Sequence, residues 1–438
     1  MAETSTAPKA SRFDKQGDAP DPVRLQAAME GFIAEFGPKA ATWMNACVRC
    51  GLCAEACQFY LTTGEAKYVP IGKIKPFEDA YHRTSGPFAP LAKLLGLKPR
   101  LTIEELERWE ELIYDSCNMC GRCTLACPMG IDIAELVKEA RHGMYHAGLL
   151  PDRLAQITRN AETRHSPFGT QEDFRKTIHA IEGEFGVTLP LDKPRAQLLL
   201  TLAPGDLEEH HKSVVAMARI LDRLGIDWTL SSEAFVATNF GYLSGNRELQ
   251  GALTVRLFEK AREIGADTIL LPECGHAWSA ARWEASYWLG EQVTDIKVRH
   301  IVEFIGHAVE SGALKLRPVE AGTSATFHDP CQQIRRGGLE RWPRVILRAM
   351  GVELREMRDH GTDAFCCGGG GGVLSNARAE PLRLKAFGIK RAQVEQTGAE
   401  HFLTSCGQCR LQFDKATEAT GWDRHVESLL ELVSDQMI

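Results

Sequence analysis

The sequence predicts a chain in two parts, an all-helical cysteine-rich first half and an α/β second half that is internally duplicated. Three observations carry this. The fourteen cysteines fall in clusters instead of spreading through the 438 residues. The first half has helical periodicity interrupted by two short, cysteine-dense loops. From about residue 195, short apolar runs alternate with amphipathic segments closed by glycine, the pattern of α/β units around a largely parallel sheet.

The opening stretch, MAETSTAPKASRFDKQGDAPDP, has no apolar h-region, so it reads as a disordered tail (1–20) and not as a secretory signal. Asp21-Pro22 opens the first helix, with proline at the first helical position. Leu25, Met29, Phe32, Ile33 and Phe36 fall on one face of it, and Gly37-Pro38 ends it. CVRCGLCAEAC (Cys47 to Cys57) follows. A segment of 59 residues then holds Pro/Gly-rich loops and a helix near LTIEELERWEELIYDS, and leads to CNMCGRCTLACP (Cys117 to Pro128). Residues from about 131 to 188 read as helical with a break at RHSPFGT, giving a helical domain over 21–190.

In the second half AQLLLTLAP, DWTLSS, DTILLPE, SATFHDP and EHFLTS read as strands. HHKSVVAMARILDRLG, ELQGALTVRLFEKAREIG and LRLKAFGIKRAQVEQTG read as amphipathic helices. The duplication is visible at three points. GADTILLPECGHA matches GAEHFLTSCGQC, NFG (Asn239 to Gly241) stands where the second copy has CCG (Cys366 to Gly368), and LAPG ending at Gly205 matches HDPC ending at Cys331. A degenerate first copy therefore spans 191–318 and a complete second copy 319–438.

A formal net charge of −7 gives no reason to expect a nucleic-acid partner, which usually leaves a basic footprint. No apolar run approaches the roughly 18–20 residues of a membrane span. Disulfide-rich secreted chains are short and loop-rich, whereas this one is long and regularly patterned, which places it in a reducing cytosol with its thiolates held by metal.

Cys47, Cys50, Cys53 and Cys57 follow C-x2-C-x2-C-x3-C, and Cys117, Cys120, Cys123 and Cys127 repeat it with Pro128 after. This is the bacterial ferredoxin run, in which three close thiolates wrap one cubane and the fourth reaches the other. One [4Fe–4S] cluster then takes Cys47, Cys50, Cys53 and Cys127, and the other takes Cys117, Cys120, Cys123 and Cys57. The competing reading is a pair of structural zinc sites. The first run has Gln58 where proline usually follows.

Cys331, Cys366-Cys367 and Cys406-x2-Cys409 put five thiolates into one α/β unit, one more than zinc takes. A larger cluster suits them better, with Gly368 to Gly372 letting backbone amides approach an anionic body. A phosphate loop does not fit, since Val373 stands where G-x-G-x-x-G needs glycine and no Lys-Ser/Thr follows. A redox disulfide at Cys406 and Cys409 is the other reading. Cys274-Gly275-His276 is either a buried thiol beside a packing histidine or a pair close to the cluster that supplies protons; His328 beside Cys331 is a further candidate donor. His210-His211 opens a helix and reads as solvated. Arg335 and Arg336 read as surface charges or as partner contacts. Trp278, Trp283 and Trp288 read as core or docking surface on one helix.

The arrangement C-x(n)-CCG-x(m)-C-x2-C resembles the CCG domain of heterodisulfide reductase subunits, in which each five-cysteine set binds a non-cubane [4Fe–4S] cluster. The whole chain beyond about residue 40 resembles DsrK-type iron–sulfur subunits and their relatives in Hme, Hmc and Tmc complexes, on CVRCGLCAEACQFYLTTGEAKYVP, WTLSSEAFVATNFG, ECGHAW and FCCGGGGGVL. The resemblance implies an α-helical ferredoxin-like domain with two cubane clusters, a duplicated CCG domain, and one non-cubane cluster with Cys331, Cys366, Cys367, Cys406 and Cys409 as the catalytic set. It further implies a membrane haem b or quinone-linked partner, a DsrC-like thiol–disulfide protein as substrate, and a cytoplasmic chain attached peripherally to the membrane through that partner. In the first copy Gly205, Asn239, Phe240 and Ala277 replace ligands and only Cys274 is kept, a reduction shared by DsrK-type chains. Iron–sulfur relays for flavin-dependent oxidation of glycolate or glycerol 3-phosphate are similar in outline and form the alternative.

Overall fold

The structure, a computed structural model, describes residues 19–35, 38–84, 89–96, 102–167 and 169–438. The expected tail up to residue 18, and Phe36 and Gly37 at the end of the first helix, lie outside the described residues. The chain forms two compact units, one of Met1–Pro167, Phe240–Arg247 and Gly371–Leu382, the other of Phe168–Asn239, Glu248–Gly370 and Arg383–Ile438.

The first unit is helical. Helix Asp21–Ala34, with proline at its start as the sequence requires, packs on helix Ile133–His146. The contact is made by small residues. A Cβ on Gly31 would lie 2.9 Å from the Gly143 Cα, and one on Gly143 would overlap the Phe32 ring at 2.0 Å. This close approach turns the helix from its expected face: Ala28, Gly31 and Phe32 are buried, whereas Ile33 is 43% exposed. Phe32 then meets Phe77 edge-on and Trp109 at a tilt, ring centroids 5.6 and 5.5 Å away.

The helix expected near LTIEELERWEELIYDS forms as Ile103–Glu110, started by a capping box in which Thr102 and Glu105 satisfy each other's backbone amides. It then widens into a π turn at Glu111–Asp115. Asp115, buried at its end, accepts from Arg378 Nε at 2.6 Å and from Asn376. The helical stretch after Ile131 resolves into Ile133–His146, Asp152–Arg164 and Gln171–Phe185. One break falls at RHSPFGT as expected, and a second falls at Ala147–Pro151.

The second unit holds two four-stranded parallel sheets of the same topology. The first has strands β1 (Leu198–Leu200), β2 (Trp228–Thr229), β3 (Thr268–Leu271) and β4 (Lys297–His300), in spatial order β2-β1-β3-β4. The second has β5 (Ser324–His328), β6 (Glu353–Leu354), β7 (His401–Thr404) and β8 (Val426–Ser428), in order β6-β5-β7-β8. Leu198–Leu200, Ile269–Leu271, Ala325, Phe327 and Leu403 join one apolar core, as strands covered on both faces must. The five strands read from sequence are present; β4, β6 and β8 add short edges with polar residues that break the apolar pattern.

The two sheets repeat each other at their functional ends. Cys274 after β3 and Cys406 after β7 are both extended helix N-caps, with φ, ψ of −132°, 107° and −142°, 113°. The tryptophan segment is not one helix: Gly275–Trp278 leads into a π turn at Ser279–Trp283 and then Ser286–Leu289. Trp278 is buried and donates to the Gly337 carbonyl at 3.2 Å, while Trp283 is 52% exposed. Among the described residues, no helix is long and apolar enough to cross a membrane.

Candidate metal centres

In the first unit the two four-cysteine runs adopt one local form. Arg49 and Gly51 flank Cys50 at φ 55° and 84°, and Met119 and Gly121 flank Cys120 at φ 52° and 76°. Left-handed backbone at a non-glycine residue is costly. Its use at matching places in both runs curls each chain around its second cysteine, and the third cysteine then starts a short helix, Leu52–Glu55 or Arg122–Leu125.

The thiols assemble in crossed sets. Burial pushes the Cys53 thiol up; the Ile71 amide opposes this, and Cys47, Cys127 and Cys50 raise it further. Burial likewise pushes Cys123 well up, helped by Cys120, Cys117 and Cys57. The fourth cysteine of each run therefore neighbours the other run's first three. Gln58, which stands where proline was expected, donates to Asn118 Oδ1 at 3.0 Å and ties the two loops together. Burial also raises Cys117, opposed by the charges of Lys73 and Arg141.

In the second unit the five remaining predicted cysteines are all buried, and none is in a disulfide. Cys331 Sγ lies 3.7 Å from Cys366 Sγ. Hydrogen bonds from Cys366 and Cys409 hold the Cys367 thiol well below its usual range, with His328 adding to this against the opposing effect of burial. Hydrogen bonding with Cys367 and Cys406 raises Cys409 well above it. The sulfurs thus run in contact from Cys331 through Cys366, Cys367 and Cys409 to Cys406. Ligand atoms of His328, Cys367 and Cys409 lie within 4.8 Å of one another.

The surroundings fit an anionic metal–sulfur body. Neither ring nitrogen of His328 nor Nε2 of Gln412 has an oxygen or nitrogen partner among the described residues, though all are buried. Buried donors without acceptors are rare unless something accepts from them. Lys390 is 1% exposed, and burial pushes its ammonium down to about 8 against Asp329, Asp359 and Cys366. Gly369 is needed because a Cβ there would come within 2.9 Å of the Gln412 Cβ. Gly368 at φ 96° needs the freedom of glycine for its backbone alone.

Sequence reasoning missed several supports. Arg335 is tied into the chain: its Nε donates to the Thr362 carbonyl at 2.6 Å, and Nη2 donates to that of Ala364, bracing the segment that enters Cys366. Asp329 takes both Arg344 amines at 2.6 and 2.8 Å and the Gly361 amide at 2.7 Å. His276 is buried on helix Gly275–Trp278. Cys274 is buried too, its thiol pushed up to about 12 by burial and by Cys406.

His210, expected in solvent, is buried, and burial drives its imidazole down to about 4. It belongs to a polar cluster under the Cys406 turn. The Gly407 amide donates to the Glu273 carbonyl at 2.9 Å, and the Gly407 Cα faces His210 and Asp206. Burial pushes Asp206 up to about 7 and Glu273 up to about 8. The sequence signal was slight, because these groups sit far apart along the chain and meet only when the two copies pack.

Two ferredoxin-type thiol sets and one five-thiol set define an iron–sulfur redox protein. Residues 43–131 match the 4Fe-4S dicluster domain family, and residues 325–414 match the CCG cysteine-rich domain family. The chain is 26% identical over 450 residues to the Hdr-like menaquinol oxidoreductase iron-sulfur subunit 2 of Archaeoglobus fulgidus, covering 90% of this chain and 80% of that one. It is 24% identical over 421 residues to a dihydromethanophenazine:CoB–CoM heterodisulfide reductase subunit of Methanosarcina barkeri, covering 90% and 94%. It is 28% identical over 397 residues to the EtfAB:quinone oxidoreductase of Syntrophomonas wolfei, covering 85% and 54%. The two domain matches and these relatives support an HdrD/DsrK-type CCG-domain iron–sulfur chain with a redox role.

Proposed function

We propose that this chain is the iron–sulfur subunit of a membrane-associated redox complex and couples a quinone- or haem b-linked partner to thiol–disulfide conversion at the five-cysteine site. The observation that carries this is the buried, contiguous set Cys331, Cys366, Cys367, Cys409 and Cys406, with His328 against it. Eight further cysteines hold two cubane clusters in crossed ligation, Cys47, Cys50, Cys53 and Cys127 for one, Cys117, Cys120, Cys123 and Cys57 for the other. The five-cysteine set holds a non-cubane four-iron cluster, which supplies a place for one substrate sulfur while electrons arrive singly.

Opening a disulfide consumes two electrons and two protons and yields two thiols. Cubane clusters held by the two crossed cysteine sets would supply electrons one at a time. His328, fixed against Cys367 and Cys409, orients the thiolate set, and Arg335 holds the loop that carries the cysteine pair. Asp206 and Glu273, whose carboxyls keep protons near neutral pH, lie beside the Cys406 turn and serve as a proton store. The substrate is a DsrC-like protein with reactive cysteines or a small heterodisulfide, and the membrane partner holds the chain at the cytoplasmic face.

The test uses anaerobically purified holoprotein, reduced with dithionite and freed of excess reductant, then mixed with an oxidised DsrC-like protein. Two new thiols per disulfide, counted by alkylation and mass spectrometry, are expected. Reoxidation of the chain only by an electron-transfer flavoprotein would favour a second reading, a flavin-linked relay, which the likeness to the EtfAB:quinone oxidoreductase supports.

A further inference from the structure

Lys73 is the buried charge in the first unit that the redox assignment leaves unexplained. It lies in the short 3-10 segment Pro70–Ile74 and is 2% exposed. Its ammonium donates to the Ser116 carbonyl, stands 3.9 Å from Cys57 Sγ, and sits over the Phe59 ring at 5.3 Å. Its own carbonyl is fixed by Trp109 Nε1. Arg141, also fully buried, donates to the carbonyls of Leu243, Gly371, Ile113 and Cys117, at 2.6, 2.7, 3.0 and 3.2 Å. Among the described residues neither cation has a carboxylate partner.

A buried charge is tolerated only with compensation. Among the described residues both cations stand at the Cys57/Cys117/Cys120/Cys123 set: Lys73 lies against Cys57 and bonds to the carbonyl just before Cys117, and Arg141 bonds to the Cys117 carbonyl itself. The other set differs. Cys50 is exposed, and Val48 and Leu52 beside it are 63% and 43% exposed.

We propose that Lys73, seconded by Arg141, makes the Cys57/Cys117/Cys120/Cys123 centre the higher-potential, internal member of the pair, and leaves the Cys47/Cys50/Cys53/Cys127 centre as the surface station for electron exchange. This rests on the assignment of a cubane cluster to each set. Reduction adds one negative charge to a cluster, and a fixed cation at contact distance in a dry site stabilises that form with little screening. An exposed cluster keeps its charge hydrated and is reached first by a partner.

The experiment is a mediator redox titration of the anaerobic holoprotein, followed by electron paramagnetic resonance, on wild type, Lys73→Met, Lys73→Gln and Lys73→Arg. Cys50→Ser identifies the signal of the surface centre. In the Met and Gln variants one cubane signal, the one Cys50→Ser leaves unaltered, is expected to lose at least tenfold in its reduction equilibrium, a fall of about 59 mV for a one-electron couple. The other signal stays in place, and Lys73→Arg restores the wild-type value. Equal shifts of both signals, no shift, or an Arg variant that behaves like Met would overturn the proposal. A neutral variant that sheds its four irons assigns Lys73 a structural role and also overturns it. A wild-type protein with only one cubane signal removes the underlying assignment instead, a different result from two signals that ignore Lys73.

Discussion

Loss of the Glu273 proton is expected to make the second unit less stable as pH rises. Its side chain is buried, with Ser428 donating to Oε2 at 2.9 Å and Oε1 without a partner among the described residues. Burial moves the carboxyl from 4.5 to about 8; Arg410 and the Ser428 hydroxyl oppose this, while Glu431 and Asp206 add to it. Asp206, His210, Arg410 and Glu431 surround it, and Asp206 is itself raised to about 7. The folded chain therefore holds the proton more tightly than the unfolded chain. Its stabilising effect is complete below pH 4.5 and is lost as pH climbs through about 8. Between pH 6 and 8.5 the loss from this one group is about 2.5 kcal/mol. For a unit of this size that corresponds to roughly 5–10 °C in melting temperature. Glu273→Gln keeps the shape without the charge. Thermal unfolding of anaerobic holoprotein across that range should give a flatter slope in the variant, with the remainder due to Asp206, and a variant more stable than wild type at the alkaline end. An unchanged slope, or a variant weaker than wild type at pH 8.5, would refute the reasoning.

Cys367→Ser should abolish thiol formation from a disulfide protein while both cubane signals remain reducible by dithionite; full turnover in that variant would remove the cysteine pair from the catalytic centre. Iron analysis of anaerobic protein should give about twelve atoms per chain, from two cubanes and one four-iron cluster, and a well-folded protein with about eight would eliminate the third centre. Gly143→Ala places a methyl where the Phe32 ring stands, 2.0 Å away, so overpacking should cost the first unit about 1–3 kcal/mol or more. A urea midpoint equal to wild type would contradict that packing. Flotation of the isolated chain with protein-free anionic liposomes should leave it unbound, since net charge −7 opposes an anionic surface, and tight binding would argue for direct membrane contact.

Much of this architecture was legible because its signals are local. Ferredoxin spacing brings thiols together within a dozen residues, and strands such as Leu198–Leu200 carry their burial in their own composition. The edge strands β4, β6 and β8 were not legible, because KVRH, EL and VES take their extended form from pairing with a neighbour. Ile33 was misplaced for a related reason. Apolar periodicity alone gives a face, but the approach of Gly31 to Gly143 decides which face, and glycine carries no hydrophobic signal. Arg335 read as a surface charge or a partner contact, and nothing in the sequence around Lys390 marks it as buried. Arg335 bonds across 27 and 29 positions to a loop, and Lys390 is buried only when its helix closes over Asp329 and Cys366. The acid cluster of Asp206 and Glu273 needed the packing of the two copies, which no single stretch encodes.

That packing also accounts for the unequal fates of the two copies. At the end of β7, Cys406 caps its helix without a hydrogen bond to its sulfur, which leaves the sulfur to its neighbours. At the equivalent end of β3, the Cys274 sulfur is already used: it accepts from the Ala277 amide at 3.5 Å and lies 3.1 Å from the Thr238 hydroxyl. Asn239, where the second copy has the first cysteine of its pair, bonds to the Gln250 carbonyl and to Thr254 at 2.9 and 3.2 Å. A single thiol, already used in this way and without the four partners of the second copy, cannot by itself hold a cluster of that size. The first copy has turned its ligand positions into hydrogen-bonded packing, and it meets the second at Glu273 and Gly407, Glu273 and Ser428, and Ser279 and Gln332. One copy of the fold thus serves as the rigid wall against which the other copy's five thiols are held. Burial that raises both carboxyls and the Cys274 thiol keeps negative charge on this wall below what ordinary acids there would carry.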